Sequence, residues 1–365
     1  MKIGIITQSL RVNYGGILQN YALQKVLKNK GYDVVTIDQP CENEKYYRMV
    51  LSALRTFILK LFRKGGKRKY PTDICKRYRN FVSKNIQKFI NEHIVFSKQL
   101  IDYEETKEYV VNHKIDAIIV GSDQVWRPKF VKDIYHSYID FAEKLDVKRI
   151  AYAASFGVDN WEYNDIQTQR CSSLIKKFIG VSVRELSGIE LCRKYLDVEA
   201  QLVLDPTLLL KSEDYMYLIK NENTTYKGIG VYLLDFNEEK MNFIAELAAQ
   251  SGKNVFYIGK PNDNGVLPSI ESWIKGFTDA DMIITDSFHG SVFSIIFNKE
   301  FYSLVNVKRG ASRFYSLLNV LGLEKRMVYA PYKLEERLSI NWGKVNERVK
   351  ELRKESIEFI DKCLL

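Results

Sequence analysis

The sequence predicts an α/β protein of two Rossmann-like, doubly wound domains that face each other across a cleft, with an inserted basic helical hairpin. The chain has 365 residues, which is more than one core of ordinary size requires. Short apolar runs alternate with helical patterns in both halves, as in parallel sheets. Hydrophobic residues make up 46% and charged residues 27% of the chain, so we expect it to fold as a globular protein.

The first half begins with a β-α-β pattern. "KIGIIT" (2–7) predicts a buried strand, "GGILQNYALQKVLKNKG" (15–31) an amphipathic helix closed by Gly31, and "DVVTID" (33–38) a second strand. Four more apolar runs end in polar residues and predict further strands: "DAIIVGSDQVW", "RIAYAASFG", "IGVSVRE" and "AQLVLDPTLLL". These elements define a first domain over residues 1–220.

A helical insertion interrupts this domain at about residues 42–95. A basic turn around Gly65 and Gly66 separates two predicted helices, the second of which follows Pro71. Apolar residues recur at helical spacing on both sides of that turn: Val50, Leu54, Phe57 and Leu61, then Tyr78, Phe81 and Ile86. The segment therefore predicts a helical hairpin.

The second half repeats the alternation. "GIGVYLL", "NVFYIG", "DMIITD" and "EFYSLV" predict strands, with helices at 237–250, near 270–275, at His289 and at 313–323. The polar stretch 221–225 marks the boundary. We thus expect a second domain at 221–340 and a C-terminal helix at 341–365.

The net charge of +10 is unevenly distributed. Residues 45–95 carry fourteen Lys or Arg against two acidic side chains, a net +12, so the rest of the chain is slightly acidic. A nucleic-acid groove normally draws basic residues from several elements, and we expect no nucleic-acid partner. The segment forms either a membrane-binding patch or a solvated helical face.

Targeting and redox signals are weak. No run approaches the roughly 18–20 apolar residues that span a bilayer, and "MKIGIITQSL" turns polar too early for a signal peptide, which predicts a cytoplasmic protein. The five cysteines lie far apart and suggest neither disulfides nor a zinc site. No His/Cys metal motif is present and no metal is expected, although carboxylates such as Asp123 and Asp286 leave metal binding open.

His289 lies in "TDSFHGSVFSIIF", where a predicted strand passes into a helix. The unpaired N–H groups and the dipole of a helix N-terminus favour an anion there. An imidazole at that position can give or take a proton near neutral pH. The alternative is a histidine buried in the core.

Arginines at similar positions predict anion binding. Arg184 follows the strand "VSV", and Arg309 and Arg313 follow "EFYSLV". Guanidinium groups bind carboxylate or phosphate and do not transfer protons. The alternatives are a surface ion pair of Arg184 and solvation of the other two on a helix face.

Two loops predict saccharide contacts. Carboxylate, amide and indole groups after the strand "DAIIV" can bind hydroxyl groups and stack on a sugar ring; the alternative is an Asx turn with a buried tryptophan. The glycines of "NYGGILQ" allow another molecule to approach the helix start, while Asp205 in "LDPT" is interpreted as a helix cap. The predicted acceptor residues are Asn13, Tyr14, Gly15, Gly16, Ser122, Asp123, Gln124 and Trp126.

The ordered set "NYGGILQNYALQ", "VGSDQVWRP", "YAASFG", "SVRE", "LDPTLL" and "TDSFHGSVFS" resembles the polysaccharide pyruvyl transferase family, from Gly4 to about Gly322. The resemblance implies a two-domain fold like that of GT-B glycosyltransferases. It also implies that phosphoenolpyruvate is the donor, with no separate cofactor. A saccharide acceptor would receive the pyruvyl group as a cyclic ketal.

Better-studied members carry an Arg-Leu-His triplet that contacts the donor, and this chain has Ser287, Phe288 and His289 instead. The histidine is retained and the arginine is absent, whereas Arg184 matches the other donor arginine of the family. We expect Arg313, or else Arg309, to supply the missing charge, and His289 to be the general acid and base. The remaining predicted donor-binding residues are Ser287, Gly290 and Ser291.

Two other functions stay open on the sequence. One is a GT-B glycosyltransferase that uses a nucleotide sugar, and the other is a non-catalytic saccharide-binding protein of a capsule assembly system. If the acceptor is lipid-linked, the basic segment 45–95 can bring the enzyme to the inner face of an anionic membrane.

Overall fold

The computed structural model describes residues 1–10, 12–38, 82–98, 100, 102–131, 133–305, 311–333 and 339–365. Within these ranges the chain forms two parallel sheets flanked by helices, which confirms the predicted fold class. The predicted first helix and basic turn of the insertion, the beginning of its second helix, and Arg309 lie outside the described residues.

The first sheet has the strand order β2-β1-β3-β4-β5-β6, all parallel. Its strands are β1 (Lys2–Ile6), β2 (Asp33–Thr36), β3 (Ala117–Val120), β4 (Lys148–Ala154), β5 (Gly180–Val183) and β6 (Gln201–Leu202). Most of their residues are buried because helices cover both faces, which explains the nearly continuous apolar runs in the sequence.

The second sheet has the order β11-β10-β9-β7-β8 and is also parallel. Its strands are β7 (Ile229–Tyr232), β8 (Val255–Tyr257), β9 (Met282–Thr285), β10 (Glu300–Leu304) and β11 (Met327–Val328). The short edge strand β11 was not predicted, since two residues give no readable alternation.

The described helices cover the faces of the sheets and connect their strands. They are α1 (Tyr14–Asn29), α2 (Lys84–His93), α3 (Tyr103–Asn112), α4 (Asp165–Ile175), α5 (Leu186–Leu191), α6 (Ser212–Leu218), α7 (Glu238–Ser251), α8 (Ile270–Asp279), α9 (Phe288–Ile296), α10 (Ala311–Val320) and α11 (Trp342–Leu364). Within the described ranges, no helix has the length and apolarity that a bilayer crossing would require.

The last helix returns to the first sheet. The Nζ atom of Lys148 donates to the carbonyl of Leu364 at 3.0 Å, and the amide of Leu204 donates to the Ser356 hydroxyl at 2.9 Å. A Cβ at Gly180 would lie only 2.2 Å from the Cys363 sulfur, so α11 packs directly on β5. The chain therefore crosses between the two halves twice.

The two halves share one apolar core. The Tyr14 ring at the start of α1 stacks on Trp273 of α8 with centroids 5.4 Å apart, and the Tyr14 hydroxyl donates to the carbonyl of Pro268 at 2.8 Å. The residues just before α2, at the described end of the insertion, also contact the second half. There the amide of Leu267 donates to the carbonyl of Val82 at 2.9 Å. These contacts bring the carboxyl ends of the two sheets together.

Candidate active site between the two sheets

His289 is positioned by a tightly bonded strand-to-helix turn. The Ser287 hydroxyl caps α9 by accepting from the amide of Gly290, and the Thr285 hydroxyl accepts from the amide of Ser287 at 3.1 Å. A Cβ at residue 290 would lie 2.1 Å from the Thr285 hydroxyl, so this packing requires glycine. The turn therefore fixes the first residues of α9.

Ser291 has a structural role in this turn. Its hydroxyl is within 2.7 Å of the Ser303 hydroxyl on β10, and its side chain is wholly buried inside the second half. In this structure the Ser291 hydroxyl is used to hold α9 against the sheet, and its predicted contact with the donor stays a prediction.

Asp286, just before the turn, is neutralised by a buried lysine. Its carboxylate lies 2.6 Å from the Lys240 Nζ atom and accepts from the amides of Leu234 and Asp235. The carboxylate thus holds the loop after β7.

No group of three or more metal-ligating side chains occurs among the described residues.

The imidazole of His289 faces the first half of the chain. Its Nε2 atom lies 3.7 Å from Oδ2 of Asp205 and has no hydrogen-bond partner among the residues that the structure describes. A Cβ at Gly15 would lie 2.0 Å from its Nδ1 atom. The histidine is buried, as the alternative interpretation expected, but it is buried between the two sheets.

Arg184 is the centre of a buried polar cluster at the carboxyl end of β5. Its Nη1 atom lies 2.6 Å from Oδ2 of Asp205, and its Nη2 atom lies 3.1 Å from Oδ1 of Asp123. Nη1 also donates to the Ser122 hydroxyl at 3.2 Å and to the Gln19 side chain at 3.3 Å. We call these five residues the Arg184 cluster. The alternative of a surface ion pair is wrong, because the Arg184 side chain is only 1% exposed.

Electrostatics in the cluster strongly favour charged carboxylates. Burial by itself would raise the pKa of the Asp205 carboxyl, but contact with His289 and Arg184 outweighs burial and holds that pKa well below its usual range. Burial would likewise raise the pKa of the Asp123 carboxyl, but the neighbouring Arg184, His289 and Arg313 outweigh burial and lower that pKa. Both carboxylates are therefore ionised near neutral pH.

Arg313 of α10 reaches the same region from the second half. Both guanidinium groups lie over the Phe288 ring. The Cζ atom of Arg184 is 4.9 Å from the ring centroid, and that of Arg313 is 5.7 Å from it. Burial, and then the charge of Arg184, lower the pKa of Arg313 to about 10. An anion bound nearby would stabilise this cation.

Ser122, Asp123 and Gln124 of the predicted acceptor loop follow β3. Ser122 and Asp123 belong to the Arg184 cluster, and Asp123 has a positive φ of 71°. The Gln124 side chain packs against Gly157, where a Cβ would lie 1.6 Å from its amide nitrogen. These three residues are buried close to the interface.

Trp126 is a core residue. Its indole is wholly buried, stacks on Tyr138 with centroids 5.2 Å apart, and donates to the carbonyl of Ser137 at 3.3 Å. In this structure protein atoms occupy the predicted stacking face, as the alternative of a buried tryptophan expected, and contact with a sugar stays a prediction.

The predicted glycine loop begins α1 at the interface. Asn13 is its exposed N-cap residue, Tyr14 stacks on Trp273, and Gly15 and Gly16 form the first turn. The glycines do permit close approach, as predicted, although in this structure the approaching group at Gly15 is His289 of the second half.

The described part of the site leaves little free space. A cavity of about 20 Å³ borders Arg184, Asp205, Phe288 and Ser316, which is room for little more than one water molecule. The His289 side chain beside it is 8% exposed.

The sequence model of polysaccharide pyruvyl transferases matches residues 13–307, which include the α1 loop, the Arg184 cluster and His289. The chain belongs to the polysaccharide pyruvyl transferase family. It is thus a transferase of a family that acts in polysaccharide biosynthesis, as the resemblance implied. No curated protein sequence is significantly similar to this pyruvyl transferase family member.

Solved structures with the same fold include sugar-nucleotide enzymes. UDP-GlcNAc 2-epimerase from Methanocaldococcus jannaschii, in complex with UDP-GlcNAc and UDP, has 12% identity and a TM-score of 0.50, covering 97% of this chain and 93% of its own. UDP-GlcNAc 2-epimerase from Neisseria meningitidis, bound to UDP-GlcNAc, has 10% identity and a TM-score of 0.50. The match covers 100% of this chain and 94% of the epimerase chain. The GT-B-like arrangement expected for a pyruvyl transferase is confirmed.

Sequence reasoning missed part of the site. Asp205 does cap the turn Pro206–Leu209, as predicted, but its second oxygen also contacts Arg184 and faces His289. Its position after β6, at the same sheet edge as Arg184, was the signal available in the sequence of this pyruvyl transferase. Gln19 gave no such signal because it lies inside a helix.

Proposed function

We propose that the protein transfers a pyruvyl group from phosphoenolpyruvate to a saccharide of a cell-surface polysaccharide or its lipid-linked precursor, forming a cyclic ketal. The observation that carries the proposal is the meeting of Arg184, Arg313 and His289 around Phe288 in a chain of this family. Phosphoenolpyruvate carries a carboxylate and a phosphate, and guanidinium groups bind both.

The donor would bind between the two guanidinium groups and the start of α9. Arg184 has an Nε atom without a hydrogen-bond partner in the described part of the chain, so it retains a donor for a ligand. Burial and the neighbouring Arg184 charge lower the pKa of Arg313 to about 10, and a bound anion would stabilise its charged form. Backbone amides at the N-terminus of α9, from Phe288 onward, favour the same anion. Ser287 and Gly290 would contribute through this helix end.

The proton steps require one group that can act as both acid and base. The His289 imidazolium gives its proton to the methylene carbon of the donor, and the resulting oxocarbenium-like centre is attacked by a saccharide hydroxyl. That hydroxyl returns its proton to His289, which then protonates the phosphate as it leaves. A second hydroxyl closes the ketal and restores the proton on His289. The two hydroxyl protons thus end on the new methyl group and on phosphate.

The acceptor would enter from the first half of the chain. Asp123 and Gln124 lie after β3, and Asn13 through Gly16 lie at the start of α1, all at the carboxyl edge where ligands of doubly wound sheets bind. Charged and amide groups of this type orient hydroxyls. Closing the halves afterwards would exclude water from the reactive intermediate.

The test is phosphate release from phosphoenolpyruvate with a panel of saccharide acceptors. We expect His289→Ala to reduce turnover about 10²- to 10⁴-fold while remaining folded. His113→Ala, which removes an exposed histidine at the end of α3, is the matched control and should retain full activity. Thermal stabilisation by nucleotide sugars and none by phosphoenolpyruvate would reject the proposed donor.

A lipid-linked acceptor would require the enzyme to work at an anionic membrane. The net charge of +12 in residues 45–95 supports this part of the proposal, with attraction of about 1 kcal/mol per basic residue near the surface. Flotation with anionic liposomes should decrease when residues 63–69 are deleted. Equal flotation of both proteins would leave the segment as a solvated surface.

A further inference from the structure

We infer that Asp205 is the positioning residue of His289 and reaches the imidazole across the interface between the two halves of the chain. The inference rests on the proposed role of His289 in proton transfer and goes beyond it. It assigns a second function to a residue whose sequence context indicates only a helix cap.

The Asp205 carboxylate is held rigidly from its own domain. Oδ1 accepts from the amide of Thr207 at 3.1 Å and from the Thr207 hydroxyl at 2.6 Å. Oδ2 accepts from Arg184 at 2.6 Å. Hydrogen bonds to both oxygens fix the plane of the carboxylate, so the direction that Oδ2 presents to the second half is determined by the first half alone.

The imidazole of His289 lies next to Oδ2 of Asp205. Its Nε2 atom is 3.7 Å from Oδ2, and a shift of about 0.7 Å would make the distance that of a normal N–H···O hydrogen bond. Among the described residues, Nε2 is a buried nitrogen without any hydrogen-bond partner. Catalytic hydrogen bonds are often long in ligand-free enzymes and shorten in the substrate complex.

This arrangement assigns different roles to the two ring nitrogens. A carboxylate facing Nε2 keeps the neutral ring protonated on Nε2, since the partner of one nitrogen sets the state of the other. Nδ1 is then the nitrogen that exchanges protons with the substrate. It lies against Gly15, which carries no side chain.

The pairing joins the two sheets. Asp205 follows β6 of the first sheet and His289 follows β9 of the second. Arg184 belongs to the same sheet as Asp205 and holds the carboxylate from the first half.

The direct test uses Asp205→Asn in the full-length protein. Asparagine keeps the shape of the side chain but removes the negative charge that faces Nε2, so the ring is no longer held in the tautomer protonated on Nε2. Imidazole ¹⁵N spectra can report this change without any substrate. The chain has four histidines, and His289→Gln identifies the signal. We expect the tautomer to change and kcat to fall about 10²- to 10⁴-fold, with a much smaller change in the KM for phosphoenolpyruvate.

Asp197→Asn is the matched control. It makes the same substitution at an exposed carboxylate that pairs with Lys176 and leaves the charge facing His289 in place. It should keep both the wild-type tautomer and kcat. Identical His289 spectra in the wild-type and Asp205→Asn proteins would overturn the inference. A changed tautomer in an enzyme that never releases phosphate from phosphoenolpyruvate would support the positioning role while rejecting the proposed donor.

Discussion

Gly15 and His289 meet across the interface with no room for a side chain between them. A Cβ at Gly15 would lie 2.0 Å from Nδ1, 2.2 Å from Cγ and 2.7 Å from Cε1 of the imidazole. Real carbon atoms do not approach this closely, so the closed arrangement requires glycine at this helix position. The start of α1 and the start of α9 therefore form one structural unit, although 274 residues separate them.

The first prediction is that Gly15→Ala reduces turnover sharply, because the new methyl group displaces His289 or prevents closure. Alanine should otherwise favour the helix by about 1 kcal/mol relative to glycine. Gly16→Ala is the control, since its Cβ would meet only the Asn13 side chain at 3.2 Å. Phosphate release measures the effect; equal activity of the two variants would contradict the prediction.

Arg184→Met should destabilise the fold as well as abolish donor binding. The substitution leaves the carboxylates of Asp123 and Asp205 buried without their cation, which costs about 3–5 kcal/mol in the free energy of unfolding. Arg170→Met removes a more exposed pair with Glu143 and should cost less than about 1 kcal/mol. Urea denaturation compares the two; equal losses would show that the Arg184 cluster contributes no special stability.

Arg313→Ala tests whether this residue replaces the arginine that is absent at Ser287. Loss of a charged hydrogen bond to the donor costs about 1.5–3 kcal/mol, so the KM for phosphoenolpyruvate should rise about 10- to 100-fold. Arg193→Ala removes an exposed arginine that pairs with Glu190 and should leave KM unchanged. A wild-type KM in the Arg313 variant would refute the assignment.

Acid should destabilise the protein through Asp123 and Asp205. The folded state lowers the pKa of both carboxyls, so their contribution to stability is complete above the unfolded value near about 3.9 and is lost as the pH falls below it. Unfolding then takes up protons. Urea denaturation between about pH 5 and 2 should show a smaller pH dependence for Asp123→Asn than for wild type. The same pH dependence of unfolding free energy in both proteins would indicate that folding does not lower the pKa of Asp123.

The fold was predictable because it depends on local patterns. Apolar runs covered on both faces predicted the strands, and polar residues at their C-terminal ends correctly placed Arg184 and the His289 turn at the carboxyl edges. The two-residue strand β11 has too few residues to form a pattern.

The contacts within the site were less predictable. Trp126 and Ser291 occupy the same kind of sequence position as Asp123 and Ser287, yet the structure places them in the interior. Which side of a loop faces the cleft depends on packing between elements distant in sequence. The contact between Asp205 and His289 joins two domains, and no local pattern encodes such a distance.

The return of α11 to the first sheet has a practical consequence for dissecting the protein. A fragment ending near residue 220 would expose the surface that Phe359, Cys363 and Leu364 cover, so we expect it to aggregate. Fusing residues 342–364 behind such a fragment would cover that surface again but would leave the core shared with the second half exposed. Neither half is therefore expected to be stable when it is produced alone.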